Sequence, residues 1–437
     1  MLGEKLKEMG VVGAGGAGFP TYVKANSTVE YVLANGAECE PLLHKDFELM
    51  KRYPAEIVAG MRLMIEATKA RRGRFGIKSK NVEAVRAIEP EAKKYAIEMS
   101  FLGDFYPSGD EYELVYTATR RLIPAGGIPL QVGCVVNNVE TLYNIHEAAQ
   151  GRPVTRQILS VAGAVARPGT FWVPIGTPVR EVLKLAGGVT APEFGMFVGG
   201  ILMGTLSFDL DDVVTKTTAG LIVLPREHYL VKRTSQPRQA MARIGKSACD
   251  QCSYCTEFCP RYLLGYQVEP HKVMRSLGFT ASGSLHWSQW GELCCACGLC
   301  TLYACPEDLF PKEACDQAKQ DRRAAGLKFA QSKPLQVHPL KEERRVPLAM
   351  LRRRLKVEEY DVETPFDAAE CTPAAVRIKL SQHAGKPATP VVKAGERVRR
   401  GQAIARVDAK DLGANIHASI DGTVAEVADK HIEVRNG

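Results

Sequence analysis

The 437-residue sequence contains no apolar run long enough to cross a membrane. No window approaches the roughly 18 consecutive apolar residues that a membrane helix needs. The opening residues MLGEKLKEMG mix Glu and Lys where a secretion signal requires an apolar core. We therefore expect a cytoplasmic protein with no direct membrane insertion.

The sequence also lacks a strong excess of charge of one sign. Its 57 Lys and Arg residues face 49 Asp and Glu residues, a net charge of +8, which is modest for this length. The basic runs at residues 322–323, 344–345 and 352–354 have no interleaved aromatic side chains on which bases would stack. Nucleic-acid binding is not expected. These runs predict a solvated linker surface or a docking face for an acidic protein.

What the sequence does have is a set of 13 cysteines. Eight of them form two short runs, Cys249, Cys252, Cys255 and Cys259, then Cys294, Cys297, Cys300 and Cys305. The first run has the C-x2-C-x2-C-x3-C-P spacing of bacterial ferredoxins, and the second has one extra residue before its last Cys. Because no secretion signal accompanies them, metal ligation explains these cysteines better than a disulfide framework.

The spacing favours two [4Fe–4S] clusters over a pair of zinc sites. Structural zinc takes its ligands as two pairs, whereas each run here has a third Cys at ferredoxin spacing. In two-cluster ferredoxins the last Cys of each run binds the other run's cluster, so we assign Cys305 to the first cluster and Cys259 to the second. The surplus thiols, expected to be small buried apolar residues, are Cys39, Cys134, Cys295, Cys315 and Cys371. Iron–sulfur clusters imply one-electron transfer.

A glycine-rich loop at residues 13–18 matches the G-x-G-x-x-G pattern of dinucleotide-binding folds. Glu38 and Glu40 follow about 20 residues later, where such folds have an acidic residue. The surrounding sequence is less typical, since only two valines precede the loop and Pro20 follows it almost at once. The loop therefore either brings backbone N–H groups to a phosphate or flat ring, or forms only a tight turn.

Four separated pieces resemble the flavin-binding fold of the NADH-oxidising subunit of respiratory complex I and of the RnfC subunit of the Rnf complex. They are GAGGAGFPTYVK at residues 13–24, NGAECEP at 35–41, YPSGDE at 106–111 and NNVET at 137–141. Four pieces in the same order are more specific than one loop. The chain has Ala37 where complex I has an acidic residue, and Cys39 replaces a Ser, as in the Rnf-like branch.

This resemblance implies an FMN site that reacts with NADH. The residues that it places on FMN are Gly13, Gly15, Gly16, Gly18, Lys24, Asn35, Asn137, Asn138 and Thr141. The residues that it places nearer the nicotinamide nucleotide are Phe19, Glu38, Glu40 and Glu111. Of these, Glu38 and Glu111 are the candidate catalytic residues. Lys24 offers a point charge to a phosphate, and the paired asparagines offer donors and acceptors to ribityl hydroxyls.

Residues 155–230 are rich in Val, Leu, Gly and Pro. Their pattern predicts two short strands, a Pro-Gly turn and a helix from about Pro178 to the Gly187-Gly188 pair. The segment resembles the β-grasp (SLBB) module that follows the flavin domain in the same families, where relatives usually have Pro in place of Ile201. Its expected role is packing and positioning, with corrinoid binding as the alternative.

The tail from about residue 366 predicts short strands joined by glycine turns. It resembles the barrel-sandwich fold of biotinyl and lipoyl carriers. In a carrier the modified Lys lies three residues beyond the acidic position that Asp408 occupies, but that place holds Asp411, and Lys410 is one residue out of register. We expect an unmodified structural domain.

Domain order separates the related families. In the RnfC protein the barrel-sandwich segment precedes the flavin fold, whereas here it comes last, as in the cobalamin reductases of propanediol-utilisation bacterial microcompartments. The resemblance to that family covers nearly the whole chain, including CDQCSYCTEFCPRYLLG at 249–265 and HASIDGTV at 417–424. The chain is identified as a member of this family.

A multidomain α/β and α+β architecture follows. The expected units are an FMN- and NADH-binding domain like the complex I flavin subunit, a β-grasp module, an α-helical two-cluster ferredoxin-like domain, a basic linker and an all-β barrel-sandwich domain. Their expected ranges are 1–152, 153–230, 231–325, 326–365 and 366–437, respectively.

The family implies an NADH-dependent oxidoreductase, a cob(III)alamin reductase. Electrons from NADH would pass through FMN and two [4Fe–4S] clusters to cobalamin, because FMN accepts a hydride and releases single electrons. The implied location is a bacterial microcompartment in the cytoplasm, and the implied partners are a corrinoid adenosyltransferase and shell or lumen proteins. Two other interpretations are an RnfC-like electron-transfer subunit of a membrane-associated complex and a non-catalytic corrinoid-binding or scaffold protein of the shell.

Overall fold

The structure, a computed structural model, describes residues 1–279 and 285–437 of the chain. These ranges form a parallel α/β domain, a mixed sheet, a helical cysteine-rich segment and a two-sheet β domain, in that order. The predicted multidomain α/β and α+β fold class is therefore confirmed. Within the same ranges, no helix is both long enough and apolar enough to span a bilayer.

The N-terminal domain is a parallel sheet covered by helices. Its strands in chain order are β1 (Tyr31–Gly36), β2 (Arg72–Lys78), β3 (Glu98–Leu102), β4 (Phe105–Tyr106) and β5 (Cys134–Asn138). All except β4 form one sheet in the order β3-β2-β1-β5, with every pairing parallel. Val32, Leu33 and Val135 are buried. Because helices cover both faces of a parallel sheet, the residues along its strands are almost continuously apolar.

Two of the accompanying helices hold the edge of this sheet in place. The helices lie at Leu2–Glu8, Thr21–Ala25, Lys45–Arg52, Pro54–Thr68, Val82–Lys93, Glu111–Thr119 and Val139–Ala149, with a 3-10 turn at Pro129–Val132. At Gly60 the fourth of them passes so close to the last that an added Cβ would lie 1.9 Å from the Leu142 carbonyl oxygen. Asn138 caps the last helix, since its Oδ1 accepts a hydrogen bond from the Glu140 N–H at 2.9 Å. The end of β5 is thereby fixed.

The second domain is a mixed six-stranded sheet. In sheet order its strands are Phe366–Asp367, Gly169–Pro174, Arg156–Gly163, Gly220–Pro225, Phe194–Val198 and Thr205–Ser207. The predicted helix is present at Val179–Leu185, and Gly187 and Gly188 beyond it have φ angles of 76° and 87°. The edge strand at 366–367 comes from the predicted fifth domain. The strands of that domain's own sheets therefore begin only at Ala375.

The cysteine-rich segment is built from short helices. They lie at Tyr229–Thr234, Arg238–Ala248, Tyr254–Glu257, Pro260–Leu263, Pro270–Ser276 and Pro311–Ala324, with a 3-10 turn at Ser288–Gly291 and a π-helical turn at Cys300–Ala304. Pro260, Pro270 and Pro311 occupy the first helical position, where the missing N–H of proline costs no hydrogen bond. The three helices from Tyr254 to Ser276, which carry or follow the first cysteine run, have only four to seven residues.

Residues 326–365, predicted to be a basic linker with a solvated surface, are instead folded against other domains. Their elements are the strand Val346–Pro347, the helix Leu348–Leu355 and the 3-10 turn Glu358–Tyr360. The strand pairs antiparallel with β4. Lys341 is buried, and its Nζ donates to Glu113 Oε1 at 2.6 Å. Leu351 and Leu355 are also fully buried. They form an apolar face of the helix, and this face holds the stretch in place. The number of arginines in the sequence does not reveal it.

The C-terminal domain consists of two small antiparallel sheets. One contains Ala375–Lys379, His431–Arg435, Gly422–Val427 and Arg397–Val398, and the other contains Thr389–Pro390, Ala403–Arg406 and Ile416–His417. Ile378, Ile404 and Ile432 belong to the same buried apolar cluster as Leu6 and Val11 of the first domain. The domain therefore packs firmly on the N-terminal domain.

Candidate functional site

The glycine loop at residues 13–18 lies between two short helices. The residues before it form only an isolated bridge and not a Rossmann strand. The loop closes on itself through a 2.9 Å hydrogen bond from the Gly13 N–H to the Phe19 carbonyl oxygen. The Ala14 N–H donates to Thr141 Oγ1 at 3.0 Å, which ties the loop to the helix that follows β5.

The two sides of this loop differ. A Cβ added at Gly15 would lie 3.0 Å from Asn138 Cβ, so the loop passes closely over that residue. A Cβ added at Gly16 would meet no atom within 4 Å. The backbone on this side is thus open to a flat ring or a phosphate. Gly18 ends the loop with a φ of 68°, a conformation that favours glycine.

Three asparagines lie at the carboxyl ends of two neighbouring strands. Asn35 on β1 is opposite Asn138 on β5, and Asn137 is opposite Ala34. Open α/β sheets bind ligands at this end of their strands. Asn137 is buried, and neither its Nδ2 nor its Oδ1 has a hydrogen-bond partner among the described residues. Because an unpaired buried amide costs free energy, Asn137 suits a polar ligand group such as a ribityl hydroxyl of FMN.

The other two amides are engaged within the protein. Asn35 Nδ2 donates to the Gly109 carbonyl oxygen at 2.8 Å, and its Oδ1 accepts from the Ala37 N–H at 3.2 Å. Asn138 caps a helix with its oxygen, and its Nδ2 donates to Asp46 Oδ2 at 2.6 Å. These two side chains are therefore held by protein hydrogen bonds, whereas both polar atoms of Asn137 have no partner among the described residues.

Lys24 brings a positive charge to the loop. Its Nζ donates to the Val136 carbonyl oxygen at 2.6 Å and lies 5.9 Å from the centroid of the Phe19 ring. Burial lowers the pKa of Lys24, and the negative charge of Glu111 opposes that shift. Burial in turn raises the pKa of Glu111. The structure thus brings Lys24, Phe19 and Glu111 together, and a phosphate would give the buried ammonium an anionic partner.

Glu38 and Glu40 point in different directions. Glu38 Oε2 accepts from the Asp46 N–H at 3.1 Å, and burial, followed by the Asp46 carboxylate, raises the pKa of Glu38 to about 8. Glu40 accepts from the backbone N–H groups of Leu202 and Met203 at 2.8 and 2.7 Å. Burial raises the pKa of Glu40 to about 7. Its carboxyl group therefore joins the first domain to the β-grasp domain.

One group of thiols combines Cys305 with the first three cysteines of the first run. Cys249, Cys252, Cys255 and Cys305 line a single pocket. The Cys249 sulfur accepts from Gln251 Nε2 at 3.1 Å, and the Cys305 sulfur accepts from the Leu309 N–H at 3.3 Å. Hydrogen bonds to cysteine sulfur are among the contacts that set the potential of an iron–sulfur cluster. Cys252 is exposed to solvent.

A second group combines Cys259 with Cys294, Cys297 and Cys300. Cys294 packs against the buried apolar cluster that contains Cys259. Burial and then the charges of Cys294, Cys255 and Cys259 raise the pKa of Cys300. Burial also raises the pKa of Cys259, together with the charges of Cys295 and Cys294. A buried thiolate needs a nearby cation to stay charged, and iron supplies one.

Each thiol group consists of four cysteines, which is the ligand set that one [4Fe–4S] cluster requires. Among residues 1–279 and 285–437, no three His, Cys, Asp or Glu side chains are placed to hold one ion. Zinc needs its sulfur ligands about 2.3 Å from a single point, whereas a cube spreads four thiolates over its iron corners.

Two residues that the sequence analysis did not select connect the flavin side to the second thiol group. Arg261 donates two hydrogen bonds to the Asp110 carboxylate, at 2.5 and 3.0 Å, and its guanidinium carbon lies 3.8 Å from the Tyr112 ring centroid. The Tyr106 hydroxyl donates to the Cys297 carbonyl oxygen at 2.7 Å. Both residues lie inside motifs selected for their neighbours, YPSGDE and CPRYLLG, but spacing alone did not indicate that the motifs meet.

A pocket of about 280 Å³ lies where these two sides meet. It is lined by Glu111 and Gly127 of the first domain and by Arg261, Cys294 and Cys295 of the cysteine-rich segment. Glu111, which faces Lys24, therefore borders the same space as the second thiol group.

Family models match the chain in the predicted order. The Nuo51 FMN-binding domain matches residues 6–147, the SLBB domain 158–195, the 4Fe-4S dicluster domain 248–310 and the RnfC barrel sandwich hybrid domain 361–437. The glycine loop and the asparagines fall within the first match. All the cysteines of both thiol groups fall within the third.

Curated relatives match nearly the full length of the chain. Cobalamin reductase PduS of Salmonella typhimurium strain LT2 is 40% identical over 436 residues, which is 99% of this chain and 96% of the relative. The protein of the same name from Citrobacter freundii is 38% identical with the same coverage. The chain belongs to the PduS family. The predicted family is therefore confirmed, and this PduS family member is an oxidoreductase with an FMN-binding domain and an iron–sulfur domain.

A solved structure of similar fold is an NAD+-reducing [NiFe]-hydrogenase in the H2-reduced state. The two chains are 21% identical and superpose with a TM-score of 0.50, over 80% of this PduS family chain and 66% of the hydrogenase chain. At that identity the likeness concerns the fold alone.

Proposed function

We propose that this chain is an NADH-dependent cob(III)alamin reductase that passes electrons from NADH through FMN and two [4Fe–4S] clusters. The observation that carries the proposal is that the flavin side of the first domain and the second thiol group border the same pocket. Residues 106–111 supply Glu111 to the flavin side and, through Tyr106 and Asp110, contact the backbone and the arginine beside the second thiol group. The names of the full-length relatives indicate cobalamin as the acceptor.

The residues of the flavin pocket have distinct roles in this proposal. Bound FMN accepts a hydride and releases single electrons, which is the conversion that NADH and iron–sulfur clusters require. Lys24 holds the phosphate, the open side of Gly16 admits the ligand, and the unpaired Asn137 amide binds its polar chain. Burial, followed by the Asp46 carboxylate, raises the pKa of Glu38, which favours its neutral form.

The two thiol groups have different positions along the proposed path. The second group adjoins the first domain through the hydrogen bond from Tyr106 to the Cys297 carbonyl oxygen. The first group includes the exposed Cys252, and its Cys255 affects the pKa of Cys300 in the second group. We therefore assign the second group to the flavin side and the first group to the side from which the acceptor is reduced.

The surface next to the first group suits an acidic partner. The helix Arg238–Ala248 leads directly into Cys249 and exposes Arg238, Arg243 and Lys246, with no acidic residue along its length. Positive surfaces attract partners of opposite charge and raise association rates. By family resemblance, the partner is a corrinoid adenosyltransferase inside a bacterial microcompartment, with shell or lumen proteins as neighbours.

An anaerobic assay of the reconstituted holoprotein tests this function. NADH is expected to bleach the bound flavin and then to convert cob(III)alamin to its reduced forms, followed by visible absorbance. If NADH bleaches the flavin but no corrinoid is reduced, the chain is an electron-transfer subunit for another acceptor. If NADH reduces neither the flavin nor any dye, the proposed activity is wrong and the chain is a non-catalytic scaffold protein.

A further inference from the structure

The outer side of the glycine loop contacts two other domains. A Cβ added at Gly18 would lie 2.9 Å from the Gln382 carbonyl oxygen, 3.0 Å from His383 Cα and 3.3 Å from Thr217 Cγ2. The Ala384 N–H donates to the Gly18 carbonyl oxygen at 3.1 Å. The last residue of the loop is thus held between the C-terminal domain and the β-grasp domain.

Lys216, beside Thr217, links three domains at this point. Its side chain is 2% exposed, and its Nζ donates to the carbonyl oxygens of Gly10 at 2.7 Å and Asn415 at 3.0 Å. Its backbone N–H donates to Gln382 Oε1 at 3.0 Å. Gly10 belongs to the first domain, whereas Asn415 and Gln382 belong to the C-terminal domain. One residue of the β-grasp domain therefore fastens the other two next to the glycine loop.

Among the residues that the structure describes, no carboxylate compensates the charge of Lys216. Both Nζ acceptors are backbone carbonyls, and burial lowers the pKa of Lys216 to about 7. The nearby His417 is buried as well, and burial followed by the charge of Lys216 lowers its pKa to about 3. Burial also lowers the pKa of His383. A buried lysine without a counter-charge costs stability, so its contribution here lies in the geometry that it fixes.

A second set of contacts holds the segment before the loop. Lys7 Nζ donates to the carbonyl oxygens of Asp408, Ala409 and Asp411 at 2.8, 3.1 and 3.1 Å. The Asn415 N–H donates to the Lys7 carbonyl oxygen at 3.2 Å. The C-terminal domain therefore holds the chain on both sides of the loop, at residues 7–10 and at Gly18.

We propose that the C-terminal domain is part of the flavin site, because it holds the glycine loop in its ligand-binding conformation, with Lys216 and Gln382 as positioning residues. In naming FMN as the ligand, this inference rests on the proposed function. A loop with four glycines has many backbone conformations when unsupported. If the ligand had to order such a loop when it binds, the free energy spent on ordering would weaken its binding. Contacts from the C-terminal domain order the loop before the ligand arrives.

Two variants and one matched control test the proposal in the full-length holoprotein. Lys216→Met keeps the length of the side chain but removes its donors, and Gln382→Ala removes one link between the domains. Lys410→Met alters an exposed lysine of the same C-terminal domain. The measurements are the FMN dissociation constant, from fluorescence, and hydrogen–deuterium exchange of the peptide that covers residues 13–18.

Lys216→Met is expected to raise the FMN dissociation constant about tenfold, as the loss of two buried hydrogen bonds that position the loop implies, and to speed exchange in the loop. Gln382→Ala is expected to change both quantities in the same direction but less, and Lys410→Met to change neither. A merely structural role for Lys216 would lower the melting temperature and leave the FMN dissociation constant and loop exchange at wild-type values. That result overturns the proposal.

The exchange measurement also separates this proposal from the proposed function. If the wild-type protein binds no FMN, the proposed function fails, whereas exchange at residues 13–18 of the flavin-free protein still decides whether the C-terminal domain orders the loop. If Lys216→Met does not fold, Gln382→Ala decides alone. Wild-type loop exchange in Gln382→Ala would then contradict the inference.

Discussion

Lys24 illustrates how much of the flavin pocket depends on one side chain. Its buried Nζ donates to the Val136 carbonyl oxygen, and burial lowers its pKa, so an anionic ligand would gain strongly from the contact. Lys24→Ala is expected to weaken FMN binding about tenfold, because hydrogen bonds that involve a charged group are among the stronger ones. Flavin retained on gel filtration measures this. Lys93→Ala, at an exposed position of the same domain, is the control, and equal flavin content in both variants would mean that Lys24 is only structural.

Lys216 predicts a pH dependence of stability with a definite sign. Its pKa falls from 10.5 to about 7 on folding, so between these values the unfolded chain binds a proton that the folded chain does not. Stability therefore rises with pH across this window and is lower below about pH 7. The nearby His417, with a pKa of about 3, stays neutral in the folded protein over this range.

The melting temperature, followed from about pH 7 to about pH 9, checks this sign, because that range lies inside the window between the two pKa values of Lys216. The increase should be smaller in Lys216→Met than in the wild type, because methionine has no proton to lose. Parallel curves for the two proteins would show that Lys216 does not titrate in this range.

At the scale of elements, the two cysteine runs exchange their last members. Cys259 belongs to the apolar cluster against which Cys294 packs, and Cys305 lines the pocket of the first run. Cys259→Ala is therefore expected to lower the iron content from about eight to about four per chain and to leave the cluster of the first run. Iron analysis and electron paramagnetic resonance of the reduced protein measure both outcomes.

A comparison among variants tests whether the last cysteine of each run binds the cluster of the other run. Cys259→Ala should leave the same residual spectrum as Cys297→Ala and a different one from Cys252→Ala, while Cys371→Ala should resemble the wild type. A residual spectrum shared by the Cys259 and Cys252 variants would assign Cys259 to its own run instead.

Local patterns indicate candidate ligand residues but not the contacts between distant segments. Each cysteine run, the glycine loop and the Asn137–Asn138 pair consist of residues close together in sequence, so spacing and resemblance suffice to select them as candidates. The contact between Gly18 and Gln382 joins opposite ends of the chain and leaves no periodic signal. The stretch at 326–365 was predicted to be a basic linker because of its arginines. Its position in the structure depends instead on the burial of its leucines.

At the scale of the whole molecule, the first and last domains share one interior. Apolar residues of the C-terminal sheets and of the N-terminal helices form one contiguous buried cluster, which also includes Ile158 and Ile175 of the β-grasp domain. Domain order could be read from the sequence, but the shared interior could not, because each domain alone has a complete pattern of strands. Joining the ends of the chain places the C-terminal domain beside the glycine loop, whereas the cysteine-rich segment meets the first domain at the pocket that Glu111 lines.

The arrangement of the whole molecule predicts how electrons leave the flavin. The double variant Cys255→Ser, Cys297→Ser removes one ligand from each thiol group and leaves Lys24 and Asn137 intact. NADH should still bleach the flavin in this variant, because hydride transfer needs only contact between nicotinamide and flavin. Reduction of cob(III)alamin should fall to near background, because a corrinoid docked beside Cys252 depends on one-electron steps through both groups.

Stopped-flow absorbance follows both reactions, and the double variant Cys134→Ser, Cys371→Ser, outside both groups, serves as control. If the cluster-deficient protein reduces cob(III)alamin at the wild-type rate, the corrinoid takes electrons directly from the flavin and must bind near Glu111 instead.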